Sequence, residues 1–329
     1  MPRNRLLPIC LATIVLTYGA ISLGQSSPPQ LPITPSSAAG FDPYASPNPQ
    51  PDDILMTPVG PARRACVHVI PNGAHAHNDG TVTLNGQQIA KYQPCADLAA
   101  SVQRGPGGGP DAGGGWLASI TGSIYNATAE FARITVPDLP TNPVVGSEVL
   151  FLWPGIEWGS NTIVQPLLAF DATNYSNACP NGQYCYEVNA FWYGSGFIWA
   201  SPAYLANPGD LVDVVAETVS STEWELFAQN DTTGQYAYAY GDAPAPSGWA
   251  MAASNVLEGY NFSQCNSLPN GGGYPYWNQG FYTGSTWNSY NLTNVSWSGG
   301  SNWSSAEGVP NCNYGAGWGT TEGHIYFTP

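Results

Sequence analysis

From Ile134 to Pro329 the chain contains no lysine and no arginine. All seven basic residues lie at or before Arg133, fifteen Asp or Glu follow it, and the formal net charge is −15. A surface without cations has little with which to hold phosphate, so nucleic acid is not an expected partner. It also offers acid few salt bridges to break. Near the carboxyl pKa values most of these acids are neutral, and almost no cation remains to repel another. The pattern points to a domain built for acidic surroundings. Halophilic surfaces are acidic too, but they carry far more charge than the 9% Asp, Glu, Lys and Arg present here.

Other features are missing as well. No segment of ten or more residues carries a helical apolar stripe. There is no G-x-S-x-G elbow, and "YGSGF" at 193–197 does not fit one. "GPGGGPDAGGG" at 105–115 lacks the G-K-[ST] ending of a phosphate loop. "DTTG" at 231–234 is not the D-[ST]-G of pepsin-like enzymes, and a hairpin turn accounts for it. Beyond residue 77 the only histidine is His324, which leaves a histidine-based triad without support. One long apolar run occurs, "LLPICLATIVLTYGAISLG" behind Arg3 and Arg5. Residues 1–24 therefore read as a secretory signal peptide, with a membrane anchor as the other reading.

Composition divides the rest. Residues 25–60 are rich in Pro, Ser and Gln and read as a disordered or extended linker. Residues 61–112 form a small β unit with turns at "PNG", "NDG" and "LNG", a structural cap or a propeptide. Residues 113–329, opening on Trp116, form the main domain. Its runs are short, rich in aromatic and β-branched residues, and broken by Gly, Pro, Asn or Asp. "TEWELFAQNDTTGQYAYAY" reads as a hairpin turning at "NDTTG". The expected fold is all-β, a two-sheet antiparallel β-sandwich with a small N-terminal β unit.

Six cysteines follow Cys10, an even number that suits disulfides in an exported chain. "CPNGQYC" closes a short turn and pairs Cys179 with Cys185. Proximity then pairs Cys66 with Cys95 and Cys265 with Cys312. "HAH" at 75–77, with His68, has the residue types of a metal site, but no acidic or cysteine partner has fitting spacing. These histidines are read as polar strand positions, with no metal or other cofactor expected. Seven N-x-[ST] sequons, at Asn126, Asn174, Asn230, Asn261, Asn291, Asn294 and Asn302, matter in a glycosylating host.

Two polar residues interrupt apolar strands. Gln165 in "NTIVQPLLAF" shares a face with Ile163 and Leu167 by alternation, and Glu258 in "SNVLEGYNF" with Val256 and Tyr260. A buried amide or carboxyl costs free energy unless it is partnered. Each is therefore either hydrogen-bonded inside the sandwich or placed to act on something in a cleft.

The order of motifs from 116 to 265 resembles the glutamic peptidases, the eqolisins. "GWLASITG" is similar to that family's opening Trp strand, and "ATAEFARITVP" to its next strand. "WPGIEWGSNTIVQ" resembles the W-x-G-I-D stretch that leads to the catalytic Gln. "YEVNAFWYGSG", the "PGD" strand and the "TTG" hairpin follow in order, and "NVLEGYNFSQC" resembles the strand with the catalytic Glu. The resemblance implies a concanavalin A-like (jelly-roll type) sandwich and a secreted, monomeric acid endopeptidase. It places catalysis on Gln165 and Glu258 and substrate contacts on Trp116, Trp153, Glu157 and Trp192. Water would attack a polypeptide substrate directly, with no cofactor and no membrane association after signal cleavage. Phe191 stands where the family has an acidic residue, and Glu157 where it has Asp. Two other classes remain: a glycoside hydrolase using Glu258 with Glu157, and a non-catalytic sugar-binding sandwich presenting the aromatics of "YPYWNQGFYTGSTWNSYN". A peptidase requires Gln165 and Glu258 to face each other in an open groove.

Overall fold

The computed structural model describes residues 40, 42, 53–95, 114–143, 148–159, 162–171, 185–261, 264–283, 286–289, 297–300, 310–318 and 322–329. The leader, most of the 25–60 segment, most of the glycine-rich joint, Cys179 and the sequons at Asn174, Asn291, Asn294 and Asn302 lie outside them. Along the chain the strands are β1 (Ile54–Thr57), β2 (Gly60–Arg63), β3 (Val67–Val69), β4 (His75–Ala76), β5 (Thr81–Leu84), β6 (Gln87–Lys91), β7 (Gly114–Tyr125) and β8 (Ala127–Thr135). They continue with β9 (Val149–Trp158), β10 (Thr162–Asp171), β11 (Cys185–Gly194), β12 (Phe197–Ala200), β13 (Tyr204–Ala206), β14 (Leu211–Ser220), β15 (Glu223–Asn230) and β16 (Gln235–Asp242). The last are β17 (Trp249–Tyr260), β18 (Gly273–Thr283), β19 (Thr286–Ser289), β20 (Trp297–Gly300), β21 (Gly315–Trp318) and β22 (Gly323–Tyr326). Only two short 3-10 turns join them among the described residues.

The strands build two large sheets and one hairpin. One sheet runs β20-β7-β17-β9-β10-β11-β12-β3, with β13 also on β11. The other runs β21-β22-β18-β8-β14-β15-β16-β4-β5-β6, with β19 on β18. Their inner faces share apolar clusters. Leu117, Leu152, Phe170 and Leu257 of the first meet Ile134, Val212, Val214 and Ala228 of the second. The chain is thus an all-β sandwich of mostly antiparallel sheets. Alternation creates this packing. In β14 the residues Val212, Val214 and Ala216 are buried while their neighbours Asp213, Val215 and Glu217 are partly exposed, as a period of two requires.

β9 breaks that alternation. Eight of its ten residues are buried in unbroken sequence, because the outer face of this sheet is covered too. Leu55, Val59 and Ala62 of the β1–β2 hairpin lie over it, in one cluster with Phe151, Trp153, Ile163, Leu167, Phe191, Val256 and Tyr260. Residues 54–60 were expected to be linker. The short apolar run "ILM" and Val59 supply what the surrounding Pro/Ser-rich sequence lacks, a surface worth burying.

Residues 67–91 join both sheets. β3 pairs in parallel with β12 and β4 in parallel with β16, while β5 and β6 extend the second sheet. Asn72 reinforces the link: its amide donates to the Tyr236 carbonyl at 3.0 Å and accepts from the Tyr238 N–H at 2.7 Å. The Cys66–Cys95 and Cys265–Cys312 disulfides are present. Cys185 is also disulfide-bonded.

The β15–β16 hairpin turns where "NDTTG" predicts. The Asn230 side chain accepts from the N–H groups of Thr232 and Thr233, and Gly234 takes a φ of +72°. Asn230 is fully buried and its amide donates to Asp210 at 2.7 Å. A glycan at that sequon would break this pairing, so Asn230 is not a glycosylation position in the folded chain. Arg133, the last cation, is committed as well. Its guanidinium binds both oxygens of Asp213 at 2.6 Å and one of Asp231 at 2.5 Å, the strong two-pronged arrangement of Arg with carboxylate.

Charge repulsion is built into the outer face of the second sheet. Glu217 and Glu225 are directly paired across β14 and β15. Burial raises the Glu217 carboxyl above its ordinary value of 4.5, and the facing Glu225 raises it further. Burial raises Glu225 too. A folded state that holds protons more tightly than the unfolded chain gains stability as pH falls through the raised pKa and loses it as pH rises. Glu217→Gln should therefore raise the unfolding free energy at neutral pH and flatten its decline as pH rises above about 4.5. Urea unfolding across that range checks this.

Candidate active site

The outer face of the β9 sheet carries both polar residues singled out by the sequence. On β10, Gln165 takes its turn among Ile163, Leu167 and Ala169. On β17, Glu258 lies between Val256 and Tyr260. β9 alone separates the two strands. Glu258 is level with Phe151, whereas Gln165 follows the Val164–Ile156 pair. The two are therefore staggered along β9, and the stretch between them forms a floor. Trp153 stands on that floor. A side chain at Gly155 would strike the Val164 carbonyl oxygen at 2.5 Å and the Trp153 ring at 3.0 Å, so only glycine fits there.

Both residues are buried, Gln165 at 0% and Glu258 at 2% exposure. Glu258 is well held. The Trp153 indole N–H donates to Oε2 at 2.9 Å and the Tyr260 hydroxyl to Oε1 at 2.5 Å. Trp116, opposite Glu258 on β7, packs edge-on to Trp153 with ring centroids 5.2 Å apart. Gln165 is poorly held. Its amide N–H reaches the Pro58 carbonyl at a long 3.5 Å, and its Oε1 has no hydrogen-bond partner among the described residues. A buried acceptor left unmatched costs on the order of 1–3 kcal/mol.

The cover is the β1–β2 turn. The Thr57 hydroxyl donates to the Gly60 carbonyl at 2.7 Å, and Gly60 has a φ of +99°. Pro58 meets Gln165 at one side, while at the other a side chain on Gly60 would come within 3.9 Å of the Tyr260 hydroxyl. The turn thus spans the floor between the two polar residues. The open groove expected from the sequence is a covered one.

Of the further predicted contacts, Trp116 and Trp153 adjoin Glu258. Glu157 is half-buried at the far end of β9, paired with Met251 and Ile163. Six residues separate it from Phe151, opposite Glu258, which is roughly 20 Å along a strand. That is too far for a pair of glycosidase carboxyls, which need about 5–10 Å. Trp192 lies on the other face, between the sheets beside Gly241, because it alternates with Phe191. It does not line the Gln165–Glu258 face. Phe191 does, directly opposite Gln165. Sequence reasoning missed Tyr260 and Pro58. Tyr260 was legible as the residue two beyond Glu258; Pro58 was not.

No protein-family model and no curated protein matches the chain. Among solved structures it is similar to scytalidoglutamic peptidase crystallised with a transition-state analogue inhibitor (14% identity, 66% of this chain and 99% of that one, TM-score 0.44). It is similar also to SCP-B, a member of the eqolisin family in complex with the tripeptide Ala-Ile-His (12%, 65% and 98%, 0.42). Aspergilloglutamic peptidase from Aspergillus niger matches at 16% identity over 55% of this chain and 99% of that one, with a TM-score of 0.37. Likeness at these values assigns no family.

Trp153→Phe removes the indole donor together with part of the ring, so a small cavity adds to the lost hydrogen bond. It should leave Glu258 Oε2 without its indole partner and lower stability by about 1–3 kcal/mol. Tyr260→Phe should do the same for Oε1. Chemical denaturation of the two variants measures both losses.

Proposed function

We propose that the protein is a secreted acid endopeptidase in which Glu258 and Gln165 hydrolyse peptide bonds by direct attack of water. The observation that carries this reading is that a well-held carboxyl and an under-satisfied amide share one sheet face beneath the hairpin, on strands two apart and about four residues, roughly 13 Å, out of level along β9. The family resemblance, the disulfides and the missing cations agree with it.

The chemistry follows from the donors. An indole N–H can only donate, so Oε2 of Glu258 stays an acceptor. The transferable proton therefore belongs on Oε1, where the Tyr260 hydroxyl can turn from donor to acceptor. Ionised Glu258 takes a proton from water, water attacks the substrate carbonyl, and Glu258 returns the proton to the leaving amine. The Gln165 N–H steadies the oxyanion, an effect worth roughly 3 kcal/mol per donor. An amide does not titrate in acid, so it remains a donor where a carboxylate would lose its charge. Trp116 and Trp153 are substrate contacts in this scheme. A polypeptide is the substrate, and the chain works as a monomer.

Residues 54–63 cover this face, so the chain with its hairpin in place is the inactive form. Arg63 is the exposed last residue of β2, and the Cys66–Cys95 bridge lies after it. A cut between Arg63 and Arg64 would free the hairpin and leave the strands from β3 onward joined to the sheets.

Two outcomes are expected with denatured protein as substrate at about pH 3 and pepstatin present. Cutting the folded chain after Arg63 should raise the cleavage rate at least about 10-fold. Glu258→Gln in the cut chain should lower it by about 1,000-fold or more with circular dichroism unchanged, since the acid–base group is lost. Rates of fragment appearance check both. Binding of a soluble glucan without any cleavage would favour the sugar-binding sandwich instead.

A further inference from the structure

A second cluster lies where β4 pairs with β16. His75 and His77 stack with ring centroids 4.1 Å apart. His75 Nε2 lies 2.5 Å from Asp242 Oδ1, and His77 Nδ1 lies 3.1 Å from Asp242 Oδ2. One ligand atom from each of the three residues falls within 4.8 Å of the others. The remaining ring nitrogens have their own partners. His75 Nδ1 is 3.3 Å from Glu223 Oε1, and His77 Nε2 is 3.1 Å from Thr83 Oγ1.

Proton counting makes this cluster incomplete. A neutral imidazole has one N–H and one lone pair. His75 has a carboxylate at each nitrogen, so as a neutral ring it turns a lone pair toward one of them. A cation placed between the ring and the carboxylates would satisfy that lone pair and the carboxylate oxygens together. One divalent ion among His75 Nε2, His77 Nδ1 and Asp242 answers the whole set. Glu223 and Thr83 then orient the rings from behind, as outer partners of metal-bound histidines do.

We propose that His75, His77 and Asp242 bind a borderline transition-metal ion of the Zn²⁺ class at neutral pH. Two imidazoles and one carboxylate suit such an ion rather than Ca²⁺ or Mg²⁺, which take oxygen ligands. The three side chains are each about a quarter exposed, at 23%, 30% and 29%, so solvent can supply the fourth ligand. The ion would staple the β4–β5 segment to β15 and β16 and leave as acid protonates the rings. Among the described residues, the titratable groups facing the rings are Asp242 and Tyr240 on β16 and Glu223 on β15. This site is independent of the Gln165 and Glu258 reading.

The test is calorimetric titration of the full chain with Zn²⁺ at about pH 7.5, with Co²⁺ absorption as a second probe. One ion per chain is expected. His77→Ala and Asp242→Asn should each weaken binding at least about 10-fold, whereas exposed His324→Ala should leave it unchanged. Thermal unfolding of the native chain should shift upward with Zn²⁺ at neutral pH and not at about pH 4. Crystals of the native chain grown with Zn²⁺ guard against a variant that fails to fold, with anomalous scattering expected at His75 and His77. No binding tighter than about 1 mM, affinity unchanged in both variants, or anomalous density elsewhere would each overturn the proposal and leave an ion-pair cluster.

Discussion

Burial of a carboxyl and an amide beneath an apolar hairpin is the constraint on which the rest of this structure depends. Removing Glu258 from water is costly unless its oxygens are matched, and Trp153 and Tyr260 match them. That requirement fixes a Trp on β9 and a Tyr two residues along β17. It also keeps Gly155 free of a side chain, since the Trp153 ring and the Val164 carbonyl fill the space. Gln165 is treated differently. Among the described residues its carbonyl oxygen has no partner and its N–H only a long contact, as suits a group whose better partner arrives from outside.

The same face explains why the N-terminal residues matter. Leu55, Val59 and Ala62 keep β9, β10 and β17 dry on their outer side. Residues 67–91 then run into both sheets, β3 pairing with β12 in one and β4 with β16 in the other. A small unit in the sequence is thus part of the sandwich. Acidic charge acts on the opposite side of the molecule. Glu217 and Glu225 hold protons more tightly when folded, and Arg133 is spent on Asp213 and Asp231. Mild acid therefore relieves the second sheet where it would weaken one built on ion pairs.

Much of this was legible in the sequence, because strand alternation is local. It identified the β-sandwich, the β15–β16 hairpin, two disulfides and the neighbours of Gln165 and Glu258 on their strands. It could not report which side of β11 faces the sheet interior. Trp192 and Phe191 are adjacent large aromatics, and only register with β10 separates them. The hairpin over the floor was hidden by its Pro/Ser-rich surroundings. The histidine cluster was hidden by distance along the chain, since Asp242 reaches His75 only through the parallel pairing of β4 with β16. Spacing rules see ligands that are neighbours in sequence, not those brought together by strand pairing.

The most direct measurement is a crystal structure of the Glu258→Gln chain, cut after Arg63 and soaked with a peptide substrate. The account predicts an extended peptide on the β9 floor, with a carbonyl oxygen near the Gln165 amide where the Pro58 carbonyl lay. A peptide bound on another face, or a hairpin still seated over Trp153 in a chain that cleaves protein before the Glu258 substitution, would contradict it.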